Sequence, residues 1–88
     1  MQNTDIQKFL DNKASLGNEC VRITFKKRTT INGIFVRGHR DYTEMKAKNF
    51  WRIVPESQIE AWEATGNVQL AKLFLGTEFT RLSIRKED

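Results

Sequence analysis

The sequence predicts an α+β fold, mainly β. The expected architecture is a small five-stranded antiparallel barrel with an N-terminal helix and a helical insert, over about residues 57–75, before the last strand. Three observations predict it. From Val21 to Val54, short apolar and β-branched runs alternate with turn-type residues, as in consecutive antiparallel strands. The second run contains Gly33 and Gly38, and glycines inside a strand mark a bulge or a sharp bend. A strand bent in this way serves both halves of a strongly curved barrel. Helical signals flank the strand run on both sides. The 88 residues make a single domain, 1–88, with no room for a second core.

Each element has its own justification. Thr4 with Gln7 three residues later reads as a capping box, and Ile6, Phe9, Leu10, Lys13 and Leu16 keep helical spacing. Gly17-Asn18 supplies the left-handed stop. A helix this short is marginal alone in water, so it must lie on an apolar rim of the sheet. Strand one spans about Glu19–Lys27, with Val21, Ile23 and Phe25 on one face and Arg22, Thr24 and Lys26 on the other. Strand two, about Thr30–Gly38, puts Ile31, Ile34, Phe35 and Val36 on both faces. Strand three is expected over Arg40–Lys48, anchored by Tyr42 and Met45. Strand four, Phe50–Val54, is apolar enough for burial on both faces.

Pro55 ends the strand run. Ser57 and Glu60 form a second capping box. The helix that follows carries Ile59 and Trp62 on one side and Glu60 and Glu63 on the other, up to Gly66. Asn67 and Gly76 then frame a third short helix, Val68–Leu75, although Leu73-Phe74-Leu75 also reads as a strand. The last strand, about Glu78–Arg85, turns Thr80, Leu82 and Ile84 inward and Arg81, Ser83 and Arg85 outward.

Charge is unevenly distributed. Residues 21–54 hold nine Lys/Arg against two acidic residues, a net of +7, whereas residues 55–80 hold Lys72 against four glutamates, a net of −3. A basic sheet followed by an acidic segment is the bias a polyanion-binding surface needs, although a solvated strand face also carries such charge. No apolar run approaches the roughly 20 residues of a membrane-spanning helix. The N-terminal residues lack a basic region followed by an apolar one, so no secretory signal is visible, and Cys20 stands alone. The expectation is a cytoplasmic protein with Cys20 as a small buried side chain.

Catalysis finds little support. His39 is the single histidine; it has no cysteine pair near it, so no metal set is formed. With Asp41 it makes at most a minor ion pair. No glycine-rich phosphate loop is present, and Glu60 and Glu63 form the solvated side of their helix. The expectation is no enzyme, no cofactor, no metal and no evident small-molecule substrate.

Val21-x-Ile23-x-Phe25, Gly33 within the second strand, then Asp41 and Met45, in the order helix, strand, bent strand, two strands, short helix, last strand, resemble the Sm and Sm-like RNA-binding proteins. That resemblance implies a barrel of the kind shared with Src-homology-type domains. In the family an asparagine after the aspartate reads a base, whereas here Tyr42, Thr43 and Glu44 follow. The family's Arg-Gly motif has only Leu75-Gly76 as a counterpart, and the insert from Pro55 to Leu75 is longer. The resemblance covers about a third of the chain and does not carry the RNA site over. The oligonucleotide-binding barrel is another five-stranded option, but its helix usually falls between strands three and four.

Nucleic acid, RNA ahead of DNA, is the expected partner. If strands one and five pair, Arg22, Thr24, Lys26, Arg81, Ser83 and Arg85 share one outer face, and Lys27 and Arg28 extend it; cations and hydroxyls together suit phosphate. Arg37, Arg40, Tyr42, Lys46, Lys48 and Arg52 form a second group, in which Tyr42 can stack on a base. Phe50, Trp51 and Trp62 are expected mainly in the core. The competing reading is an assembly module, a homo-oligomer joined through strand edges, with the acidic helix of one copy against the basic sheet of another. On the simplest view, the cations merely keep exposed strands soluble.

Overall fold

A computed structural model describes residues 1–13 and 19–85. Its elements are α1 (Asn3–Lys13), β1 (Val21–Phe25), β2 (Ile31–Phe35), α2 (Tyr42–Ala47), β3 (Phe50–Pro55), α3 (Ile59–Thr65), β4 (Lys72–Leu75) and β5 (Phe79–Ile84). The expected Leu16 and Gly17-Asn18 at the end of the first helix lie outside the described residues. All five strands are antiparallel and form one sheet in the order β4-β3-β2-β1-β5.

The inner face of the sheet carries the core. Val21, Ile23, Phe25, Phe35, Trp51, Ile53, Phe74, Phe79 and Leu82 point there, and Ile6 and Leu10 of α1 close over them. Burying those two α1 side chains is worth about 1.5–3 kcal/mol each, which holds a helix that would be marginal alone. The rings of Phe25 on β1 and Phe74 on β4 stand 5.6 Å apart although two strands separate them in the sheet, so the sheet is strongly curled. It does not close: β4 and β5 are the two edges, joined by a 3-10 turn at Gly76–Glu78. The expected closed barrel is thus an open, curled sheet.

Two elements differ from expectation. Tyr42–Ala47 is a helix, not a strand. Tyr42, Met45 and Lys46 are half-buried while Thr43, Glu44 and Ala47 are exposed, which is the three-to-four spacing of a helix and not the alternation of a strand. Glu, Met, Lys and Ala are also strong helix formers. Residues 68–75 are not a helix: Val68–Leu70 is one 3-10 turn and Lys72–Leu75 is β4. Asn67 does cap that turn, its side chain accepting from the Gln69 N–H at 3.0 Å, but the cap supports a single turn only. Gly76 is no helix stop. It lies where a Cβ would stand 2.6 Å from Ile6 Cδ1 and collide with the Asn49 side chain.

Smaller corrections follow from backbone geometry. Gly33 creates no bulge; it pairs with Val21 on one side and Pro55 on the other, and a Cβ there would come within 2.5 Å of the Val54 carbonyl oxygen. The irregularity sits instead between Thr24 and Phe25 in the β1–β5 ladder. That shift turns Phe79 inward with Leu82 and leaves Thr80 exposed, its hydroxyl donating to the Thr24 carbonyl at 3.2 Å. Ser57 makes no cap: a 3-10 turn, Glu56–Gln58, leads into α3, and no side chain caps either element. Gly66 does end α3, with φ 65° and its N–H donating to the Trp62 carbonyl at 2.7 Å.

Both faces of β2 and β3 are covered, as their sequences predict. Ile34, Val36 and Val54 point outward yet are buried. Trp62 and Val68 border Ile34 and Val36 on one side, and Ile59 borders Ile34 on the other.

Candidate nucleic-acid interface

Strand pairing decides which cations share a surface. β1 and β5 are neighbours, with Arg22 opposite Ser83 and Thr24 opposite Arg81. Arg22 and Arg81 are exposed, and Thr24 and Ser83 are half-buried between them. Lys26 and Lys27 follow at the exposed end of β1, where the Lys26 N–H donates to the Glu78 carbonyl at 3.0 Å and prolongs the ladder. Among the described residues, no ion-pair partner falls to Arg22, Lys26, Lys27 or Arg81. The result is a solvent-facing strip of cations and hydroxyls.

Other basic candidates are engaged elsewhere. Arg28 lays its guanidinium over Phe25 and Phe74, 5.1 and 5.2 Å from the ring centroids, across the mouth of the curled sheet. Arg85 is half-buried, and its Nε donates to Glu56 at 2.8 Å, so it turns from the strip towards the segment before α3. Lys48 lies 3.9 Å from Glu44 one helical turn away. Tyr42 is half-buried on α2, with its hydroxyl donating to Gln7 Oε1 at 2.6 Å, its ring 6.1 Å from that of Trp51 and the Lys46 ammonium 5.3 Å over it. Burial pushes its phenol above the usual value. That ring is half-buried, with an edge-on contact to Trp51 and a cation over it. Arg37 is half-buried and Arg40 exposed, both in the loop between β2 and α2.

Asp41 organises that loop. Arg52 grips its carboxylate with both guanidinium nitrogens, one at 2.8 Å from Oδ2, and His39 Nδ1 lies 2.6 Å from Oδ1. Arg52, with help from His39, holds the Asp41 carboxyl at about 2, below the ordinary 3.8, and partial burial opposes this only in part. The backbone carbonyl of Asp41 also accepts the Met45 N–H at 2.9 Å, which starts α2. Arg52 was grouped by sequence with the phosphate-binding cations, but its charge is neutralised here. The sequence shows His39 and Asp41 two positions apart. It does not show Arg52, which only the fold brings to them.

Beside this loop runs an open-sided groove of about 420 Å³, lined by Val36, His39, Trp62 and Val68 among others. Trp62, expected mainly in the core, is half-buried at its wall. No sequence signal separates it from Trp51, which is 1% exposed. Among the described residues, no group of three or more His, Cys, Asp or Glu side chains is placed to hold a metal ion. No helix among them is long and apolar enough to cross a membrane. Compared with known proteins, the chain matches no family model, no curated protein and no solved structure.

Proposed function

We propose that this domain binds nucleic acid, RNA ahead of DNA, in the cytoplasm, without catalysis and with little regard to sequence, along the outer face of β1 and β5. One observation carries this reading: the β1–β5 register sets Arg22 beside Ser83 and Arg81 beside Thr24 on a solvent-facing surface whose cations have no ion-pair partner among the described residues. Phosphate oxygens need such cations and hydroxyls, and contacts to phosphate do not read sequence. Glu56, Glu60 and Glu63 line a hollow with Ile34, Cys20 and Arg85, where Glu56 is paired with Arg85. In fold terms the domain is an incompletely closed barrel of the Sm-like type. The strand order and the curl that brings Phe25 against Phe74 support this.

The test is binding of fluorescently labelled single-stranded RNA and DNA at low salt. Arg22→Glu with Arg81→Glu is expected to abolish binding with an unchanged circular dichroism spectrum. Lys8→Glu with Lys13→Glu, which changes net charge equally on exposed positions of α1, should weaken it far less. Equal loss in both variants, or no binding by the unmodified domain, overturns the reading.

A second reading has its own observation. β4 is an edge strand, and on it Leu73 and Leu75 are 47% and 38% exposed. Exposed leucines on an open edge favour pairing with another strand, and β5 offers the other free edge in a second copy. A salt-independent increase of mass with concentration in light scattering supports assembly. A monomer at all concentrations removes it.

A further inference from the structure

The groove beside the Asp41 loop has the chemistry of a ligand site. Its floor is apolar, with Ile34 and Val36 at the sheet. One wall is the half-buried indole of Trp62, whose N–H finds no partner among the described residues. Opposite in kind is His39. His39 lines the groove with Nδ1 2.6 Å from the Asp41 carboxylate, which can only accept when ionised and so favours a proton on Nδ1 over the weaker 3.4 Å approach of the Asp41 N–H. In that neutral tautomer Nε2 is an acceptor, and no described residue bonds to it. Arg52 grips both oxygens of the same carboxylate and so fixes the position of the group that His39 Nδ1 meets.

We propose that this groove is a single-nucleotide subsite. The heteroaromatic base lies against Trp62, and Nε2 of His39 accepts a hydrogen bond from an N–H on the base edge. A volume of about 420 Å³ suits one nucleotide and is too small for a folded partner element. Bases splayed from a single strand present such edges and stack on aromatic side chains. The proposal rests on the nucleic-acid reading only for the source of its ligand; the same chemistry admits a free mononucleotide.

The protein contains an internal reference for the test. Trp51 donates its indole N–H to Asn49 at 2.8 Å inside the core, whereas Trp62 faces the groove. In a nitrogen-15 correlation spectrum, adenosine and uridine 5′-monophosphates at millimolar concentration, and short homopolymeric RNA strands, are expected to move the Trp62 indole signal and leave that of Trp51 in place. His39→Ala should weaken mononucleotide binding about tenfold, the effect of one lost hydrogen bond. His39→Gln, which keeps an acceptor, should recover part of it. Arg22→Glu with Arg81→Glu should leave the mononucleotide response unchanged. A Trp62 response to strands alone assigns the subsite to nucleic acid, and a response to mononucleotides alone assigns it to the free ligand. Strands that bind while neither they nor the mononucleotides move the Trp62 signal overturn the subsite and leave the β1–β5 face standing. Silence of Trp62 towards every probe, or full binding by His39→Ala, overturns it as well.

Discussion

Asn49 accepts the indole N–H of Trp51 at 2.8 Å while its own backbone is left-handed, with φ 63°. The same side chain donates to the Met1 carbonyl at 3.0 Å, and its backbone carbonyl accepts the Gly76 N–H at 2.8 Å. One residue thus ties the turn after α2, the largest core side chain and the start of the β4–β5 connection.

Asn49→Ala should therefore cost stability in two separable parts. A buried indole N–H left without an acceptor costs about 1–3 kcal/mol. The left-handed backbone costs alanine about 1–2 kcal/mol more. Asn49→Gly suffers only the first part. Urea unfolding should rank native above Asn49→Gly above Asn49→Ala, and equal stability of the two variants would show that the φ value carries no cost.

Gly76→Ala is expected to destabilise by about 1–3 kcal/mol, because its methyl group would press on Ile6 and Asn49 in a filled core. Gly38→Ala is the matched control, with nothing within 4 Å of its added methyl. Thermal midpoints that fall equally for both would contradict the packing at Gly76.

The Asp41 carboxyl gives a pH signature. Its folded value of about 2 lies below the ordinary 3.8, so its contribution is fully present above about pH 4 and disappears as pH falls through the folded value. Asp41→Asn has no such carboxylate to protonate. The stability gap between native and Asp41→Asn should be constant from neutral pH to about pH 4 and shrink between pH 4 and 2. A gap that stays constant through that window would exclude the Arg52–Asp41 bond as its source.

Salt should report how many cations bind phosphate. If Arg22, Lys26, Lys27 and Arg81 each displace one counterion from a single strand, log K against log salt should slope at about −3. Lys26→Ala or Lys27→Ala should each flatten the slope by about one unit or less. A slope near zero would move the domain to the assembly reading.

Sequence periodicity revealed much of the fold, and the exceptions have physical causes. β1, β2, β3 and the C-terminal strand were legible because apolar runs sit between turn residues, and the β1–β5 pairing was foreseen as a condition of a shared basic face. Tyr42–Ala47 reads as a strand because its neighbours on both sides are strands, although Tyr42, Met45 and Lys46 keep a helical interval. β4 was misread because Gly76 looked like a helix terminator. A glycine required by tertiary packing is indistinguishable in sequence from one required by φ. At the site, Arg22 and Arg81 were legible from alternation. The pairings Arg85–Glu56 and Arg52–Asp41 were not, since each joins residues that only the curled sheet brings together.

The place of β1 has a consequence for how the chain acquires its structure. Val21 pairs with Gly33 on one side and Ile84 on the other, so one neighbour is supplied at once and the second only after β2, β3 and β4 have all been synthesised. Until Phe79–Ile84 emerges, β1 is an open edge and the core lacks Phe79 and Leu82. Such distant pairing slows folding and leaves a nascent chain exposed to self-association. A chain that ended before β5 would keep that open edge and that incomplete core, the two features that invite strand-to-strand association.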